Sequence, residues 1–198
     1  MAVAQFLNIG ASTAIDLNSI VPIGDSVADN VQIQTLTPGG ATKDSYTWND
    51  WVADTPCWVD DSLAPVSGVS FEPGQGLFIL GTASTQGIQT SGEVGASDIV
   101  VQLQNGGTAT GNPFPVEVAL SDVIPEGDSV ADNVQIQTLT PGGATKDSYT
   151  WNDWVADTPC WVDDSLMPVT GVVFGPGEGL FVLGTSTSQT LRFPAPEL

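Results

Sequence analysis

The sequence predicts an all-β protein of two tandem homologous domains, each an antiparallel β-sandwich or a barrel-like fold. A forty-residue segment, 24–63, recurs without change at 127–166, an offset of 127 − 24 = 103 residues. Short segments rich in Val, Ile, Thr and aromatic residues alternate with polar residues, which is the period of a half-buried strand. Gly and Pro separate these segments and indicate turns.

The first predicted strand of each unit precedes the identical segment. In the second unit, Val116, Val118 and Leu120 alternate with other residues, and in the first unit Ile15 matches Val118 and Leu17 matches Leu120. Proline cannot donate to a strand ladder, so we expect Pro22 and Pro125 to end these strands.

The identical segment predicts a hairpin. Val31 and Ile33 alternate with glutamines, and residues 45–49 alternate again. The sequence Pro38-Gly39-Gly40 between them is a strong turn signal. Residues 60–62 predict a further turn, and the apolar segment 77–81, repeated at 180–184, predicts a central buried strand.

The link between the two units contains a strand candidate that occurs once. We assign residues 1–97 to the first domain, 98–110 to a linking strand and turn, and 111–198 to the second domain. Under the 103-residue offset, Met1 matches residue 104 and Leu198 matches residue 95, so residues 98–103 have no counterpart in either unit and the strand 98–104 occurs only once. Either this strand belongs to one unit, or the deficient unit offers an open edge to a strand from a neighbouring chain.

Composition restricts the partners. Three basic residues face 23 acidic ones, a net charge of −20, which disfavours nucleic acid and anionic membrane surfaces. No apolar run reaches the length of a membrane-spanning helix, so we expect no membrane insertion. Scarce lysine and absent histidine suit a secreted, extracellular or cell-surface β-protein.

Several chemistries lack support. The chain has no histidine, which removes the commonest general base and most zinc sites, so we expect no enzyme activity. Cys57 and Cys160 are equivalent positions and form no C-x-x-C pair. They are either buried free thiols packed beside Trp58 and Trp161, or partners in a bridge within or between chains.

Aspartates are the candidate metal ligands. Hard cations such as calcium take several oxygens from loops, although aspartate also initiates turns for local reasons. The candidate calcium ligands lie in the loops of both copies: Asp25, Asp29, Asp60, Asp61, Asp128, Asp132, Asp163 and Asp164.

Aromatic residues near these acids also suggest a glycan site. Trp48, Trp51 and Trp58 accompany aspartates in the first copy, and stacking with hydrogen bonds would hold a sugar. The alternative is that these tryptophans belong to a core or an interface.

The sequence Gly111-Asn112-Pro113-Phe114-Pro115, with a downstream Phe-x-Pro-Gly-x-Gly-Leu-Phe, loosely resembles tandem β-repeat modules of secreted bacterial surface proteins of unknown function. The first unit departs from the pattern, because residues 9–12 read Ile-Gly-Ala-Ser in place of the N-P-F-P turn. This resemblance implies a secreted β-protein and no particular activity.

Conservation of both copies within one chain favours a structural role, since an enzyme needs its site only once; a recent exchange between the copies is the alternative. We therefore expect an extracellular structural protein that self-assembles, as a filament formed by strand exchange between subunits. The alternative function is a calcium-dependent or carbohydrate-binding adhesion module.

Overall fold

The structure is a computed structural model that describes residues 3–8, 13–81, 85–90, 96–140 and 142–196. Its first half contains a 3-10 helix, Leu17–Ser19, and these strands: β1 (Val3–Asn8), β2 (Ile15–Asp16), β3 (Val21–Ile23), β4 (Gln32–Leu36), β5 (Thr42–Asn49), β6 (Cys57–Val59), β7 (Ser70–Phe71), β8 (Gly76–Gly81) and β9 (Gly87–Gln89). The second half contains a 3-10 helix, Leu120–Asp122, and these strands: β10 (Ile99–Gln102), β11 (Thr108–Gly111), β12 (Val118–Ala119), β13 (Ile124–Glu126), β14 (Gln135–Leu139), β15 (Thr145–Asn152), β16 (Cys160–Val162), β17 (Val173–Phe174), β18 (Gly179–Leu183) and β19 (Thr190–Phe193).

The fold is all-β and sandwich-like, with several antiparallel sheets, and none of these sheets closes into a barrel within the described residues. The first half has a five-stranded sheet in the order β1-β8-β4-β5-β6, and the second half has the same order in β11-β18-β14-β15-β16. The pairs β2-β7 and β12-β17 also correspond. The predicted central strand is confirmed, because β8 lies between β1 and β4.

The predicted hairpin in the identical segment is confirmed as β4-β5. Its turn closes through a 2.7 Å bond from the Thr37 N–H to the Ala41 carbonyl. Gly39 and Gly40 have φ values of 95° and 86°, a region that residues with a Cβ rarely adopt. Val31 and Ile33 are buried as the alternation predicted.

The prediction that Pro22 and Pro125 end strands is wrong. Each lies inside a short strand, in β3 and β13, and each of these is an edge strand of its sheet. An edge strand needs ladder bonds on one side only, so a missing N–H costs nothing there. The strands predicted before them are also shorter than expected, because Leu17 and Leu120 begin 3-10 turns.

Each half has its own buried cluster around a tryptophan. Trp58 is fully buried, donates a 2.9 Å hydrogen bond to the Ile20 carbonyl and contacts Trp48 edge-on at 5.2 Å. Trp161 repeats this arrangement with Val123 and Trp151. Because a buried indole N–H needs an acceptor, this bond fixes where the chain before β3 or β13 crosses the sheet.

The second cluster is the larger, and β10 accounts for part of the difference. Ile99, Val101 and Leu103 add three buried side chains to the second half. The described residues of the first cluster include no equivalent strand. The single linking strand thus belongs to the sheet β10-β19-β13, whereas the described residues of the first half form the pair β3-β9 at the equivalent place.

The two halves approach closely along β10 and β11. The Thr110 hydroxyl donates a 2.6 Å hydrogen bond to the Gly74 carbonyl. A Cβ placed on Gly74 would lie 2.6 Å from Cγ2 of Val101, and one placed on Gly76 would lie 2.5 Å from the backbone of Ala109 and Thr110. Glycine is therefore required at this junction because a side chain would separate the two backbones.

We predict that Gly74→Ala destabilises the protein by about 1–3 kcal/mol more than Gly68→Ala, the cost of overpacking against a stiff valine. Both glycines have positive φ, 81° and 72°, so both variants carry the same backbone strain, but the Cβ at Gly68 meets nothing within 4 Å. Urea unfolding of both variants measures the difference. Equal losses of stability would contradict the close contact between Gly74 and Val101.

Candidate functional site

Asp29 joins two loops of the first half into one unit. Its carboxylate accepts a 2.7 Å bond from Nδ2 of Asn49 and a 3.0 Å bond from Nε1 of Trp51. Its own N–H donates to the Trp48 carbonyl at 2.7 Å. Asp29 has a φ of 58°, a conformation that aspartate tolerates better than most residues. The loop before β4 is thereby fixed to the loop after β5.

Asn49 holds the backbone of the same loop. It is buried, and its Oδ1 accepts the N–H of Trp51 at 3.0 Å and the N–H of Val52 at 2.8 Å. The oxygen of this buried amide therefore accepts two backbone N–H groups, and its nitrogen donates to Asp29. Trp51 is held at both its backbone and its ring nitrogen.

The second half repeats this network. Asp132 accepts bonds from Asn152 at 2.8 Å and from Nε1 of Trp154 at 3.1 Å. Asn152 accepts the Trp154 N–H at 3.0 Å. The identical forty residues thus form the same loop geometry in two different surroundings.

The structure separates the tryptophans that the sequence grouped as a glycan site. Trp58 lies in the core and Trp48 is half-buried against it. Trp51 and its equivalent Trp154 are each 61% exposed. Only the tryptophan that follows β5 or β15 is therefore available to a ligand.

The predicted metal ligands divide between two loops, and several already have local partners. Asp29 and Asp132 hold the tryptophan loops, as described above. Asp60 accepts the N–H groups of Ser62 at 2.8 Å and Ala64 at 3.0 Å, which confirms the predicted turn, and Asp163 does the same in the second half. These bonds stabilise an aspartate turn without a metal.

The remaining four predicted ligands are exposed on the same loops: Asp25, Asp61, Asp128 and Asp164. Across the described part of the chain, no three Asp, Glu, Cys or His side chains come together in a group that could hold a metal ion. Calcium binding stays a prediction. Of the eight predicted ligands, these four exposed aspartates are the ones that the hydrogen bonds described above do not involve.

A shallow groove lies beside β5 in each half. In the first half it has a volume of about 520 Å³ and runs between Lys43 and Tyr46 on one side and the Asp60–Asp61 turn on the other. The equivalent groove in the second half has about 570 Å³. Burial, and then the Asp44 carboxylate, raise the pKa of Tyr46. Charged residues here also protect the part of the β5 edge that β6 leaves unpaired.

Cys57 and Cys160 are free thiols, each half-buried at the start of β6 or β16. They pair across the strands with Asn49 and Asn152 respectively. No bridge joins these two cysteines within the chain, and their half-buried thiols are more open than the buried alternative predicted; a bridge between chains stays a prediction.

The edges of β9 and β19 differ between the halves. Leu103 donates its N–H to the Gln189 carbonyl at 2.9 Å, which fixes the register of β10 on β19. Hydrogen-bonded pairs alternate in an antiparallel ladder, so Leu191 directs its N–H and C=O toward β10. The equivalent of Leu191 is Ile88, since 191 − 103 = 88, and among the described residues no strand pairs with that side of β9.

An ion cluster fastens β10 to its neighbours. Arg192 on β19 contacts Asp98 at 3.1 Å and Glu126 on β13 at 2.8 Å. The equivalent positions of Arg192 and Glu126 in the first half are Gln89 and Ile23. Val21 and Ile23 are 43% and 48% exposed there, so the first half presents an apolar ribbon in place of charges.

Comparison with protein-family models, with curated protein sequences and with solved structures finds no match to this chain. In the described residues, no helix is long and apolar enough to cross a membrane. The candidate sites must therefore be interpreted from their own chemistry.

The aspartate–asparagine–tryptophan network does not follow from any local sequence pattern. Loop composition predicts a metal ligand at Asp29 and no particular role for Asn49. The signal was present only as the unchanged repetition of the segment, because residues 20 and 22 positions apart form the network.

We predict that Asp29→Asn lowers the free energy of unfolding by about 1–2 kcal/mol, because two hydrogen bonds to a charged acceptor become weaker or are lost. Asparagine keeps the tolerance for positive φ, so the change reports the bonds and not the backbone. Asp25→Asn, exposed on the same loop, is the matched control. A loss in both variants alike would contradict the role of Asp29.

We predict that Asp98→Asn flattens the loss of thermal stability in acid. The Ala195 N–H, and then the Arg192 guanidinium, lower the pKa of Asp98. A group with a lowered folded pKa contributes stability above its unfolded value of about 3.9 and loses it as the pH falls through the folded value. Melting curves below about pH 4 test this, with the exposed Glu117→Gln as control. If Asp98→Asn loses thermal stability in acid as steeply as the native chain, the stabilising role of the ion cluster around Arg192 is contradicted.

Proposed function

We propose that this protein is an extracellular or cell-surface structural subunit that assembles with copies of itself by pairing sheet edges. The observation that carries the proposal is the difference between two equivalent edges: β10 pairs with β19, whereas no described strand pairs with the outer side of β9. An unpaired edge presents backbone donors and acceptors that a strand of another chain satisfies.

The proposal treats the two halves as tandem homologous β-sandwich domains. Their own buried clusters and their common strand order support this division. In these terms the linking strand serves the second domain, and the first domain carries the open edge.

The number of strands decides the form of assembly. Each chain has one β10 for two equivalent edges, β9 and β19. Withdrawing β10 to fill the β9 edge of a neighbour would expose Ile99, Val101 and Leu103 of the donor and open its β19 edge. Strand exchange by itself therefore pairs the β9 edge of one copy and leaves the β19 edge of another unpaired, with no net gain in backbone hydrogen bonds.

Edge addition avoids this loss. β10 lies at the edge of its own sheet, so it can stay on β19 and pair with β9 of a second copy through its other side. The alternation that directs Leu103 toward β19 directs the backbone groups of Val100 and Gln102 outward. The Val100 side chain is 54% exposed, on the face of the sheet opposite the buried Ile99 and Val101.

Pairing of β9 with β10 of another copy joins unlike surfaces. A heterologous contact of this kind leaves one free edge at each end, so it continues into an open filament unless the rotation closes a ring. The net charge of −20 opposes contact between copies, and salt screens that repulsion. We expect longer assemblies at higher ionic strength.

The proposal includes no catalysis, because the sequence has no histidine, the commonest general base. The composition described above supports the extracellular location.

Calcium belongs to the second candidate function, an adhesion module. A shift in melting temperature at millimolar calcium would support that function.

We predict that Val100→Pro abolishes assembly and leaves the fold intact. Proline removes an N–H that points away from β19, so the internal ladder keeps its bonds while the outer edge loses a donor. The matched control is Val100→Thr, which keeps the N–H and the β-branched shape. Sedimentation velocity and electron microscopy compare the two variants with the native chain.

A native chain that stays monomeric at high concentration and high salt would overturn the proposal. Assembly that survives in Val100→Pro would show that another surface joins the copies. Circular dichroism and melting curves confirm that the proline variant is folded.

A further inference from the structure

The two exposed indoles form a feature that self-assembly does not use. We propose that Trp51 and Trp154 are a duplicated saccharide-binding platform for a neutral polysaccharide. Exposed tryptophans are uncommon, and each of these has 61% of its surface open to solvent.

Each ring is fixed before any ligand arrives. The Trp51 indole nitrogen is bonded to Asp29, and its backbone N–H is bonded to the buried Asn49. A side chain that is already held loses little conformational entropy on binding. The network holds the ring open to solvent, although an unrestrained indole would gain by covering itself with neighbouring apolar atoms.

The same bonds define the ligand chemistry. Because the Trp51 N–H already donates to Asp29, the ring has no polar group left for a ligand and offers only its apolar surface. The complementary surface is flat, made of C–H groups and of ring size. The C–H face of a pyranose has this shape, and its hydroxyls point outward from the rim.

The negative charge around each ring restricts the class of ligand further. Asp50 and Asp54 are exposed on the Trp51 loop, and Asp153 and Asp157 are exposed on the Trp154 loop. Carboxylates accept hydrogen bonds from hydroxyl groups and repel anions. A neutral saccharide fits this setting, whereas an anionic polysaccharide does not.

A protein partner fits less well. The buried centre of a protein interface is depleted of charged residues, but these indoles lie among exposed aspartates. A single aromatic ring with polar neighbours presents a subsite rather than a contiguous apolar patch.

Duplication adds avidity. The second loop repeats the first, with Trp154 bonded to Asp132 and Asn152 at nearly the same distances. Two identical subsites on one chain favour a ligand with repeating units, because the second contact becomes intramolecular. A polymer of one neutral sugar supplies such repeats.

Affinity electrophoresis of the full chain tests the proposal, with hydroxyethyl cellulose, mannan and dextran as neutral probes and alginate as the anionic probe. We expect retardation by at least one neutral polysaccharide and none by alginate. Trp51→Ala and Trp154→Ala should each weaken the apparent affinity by more than about tenfold, and the double variant should lose it. Met167→Ala, which removes an apolar side chain that is also 61% exposed, should bind like the native chain.

Mobility unaffected by all three neutral polysaccharides, or retardation that persists in the double variant, would overturn the proposal. If the double variant instead changes the sedimentation of the protein alone, the indoles serve contact between copies and the saccharide proposal fails. The Val100→Pro variant should still bind, so this result is independent of the assembly proposal.

Discussion

Pairing of backbone groups at sheet edges is the constraint on which this structure depends. The chain builds two halves from short strands, and a short strand is stable only when its ladder bonds and its apolar face are both satisfied. Leu103, Val101 and Ile99 satisfy both needs on β19, where Arg192 adds an ion cluster. In the first half, Ile88 and Gln89 on β9 are the equivalents of Leu191 and Arg192 on β19. The exposed Val21 and Ile23 lie on β3, the strand that pairs with β9.

The difference between the two halves therefore comes from the residues that flank the repeated segment, and not from the segment itself. The hydrogen bonds that the forty repeated residues make recur in both halves almost without change, from the Trp58 and Trp161 indoles to the aspartate turns. Outside them, the flanking residues decide how each half meets its surroundings. This separation assigns two roles: the repeated segment presents the same loops twice, and the flanks decide that β19 pairs with β10 while no described strand pairs with the outer side of β9.

Local patterns predicted much of the fold because period-two alternation and glycine turns act over a few residues. The β4-β5 hairpin, the central β8 strand and the turn at Asp60 followed from them. Pro22 and Pro125 were misjudged, since a proline ends a strand only if its N–H is needed, and that depends on which strand lies beside it. The choice between a glycan site and a core role for the tryptophans stayed open for a similar reason: burial depends on packing partners 38 residues away, such as the Ile20 carbonyl for Trp58.

By itself, the sequence determined the strand class, the duplication, the single copy of the linking strand and the acidic, histidine-free chemistry, because each of these depends on composition or on neighbouring residues. Only the tertiary structure decided which half β10 completes, which tryptophan faces solvent, and that Asp29 holds an indole. These outcomes depend on contacts between residues distant in the chain. Such contacts form only when the sheets pack, so no local pattern encodes them.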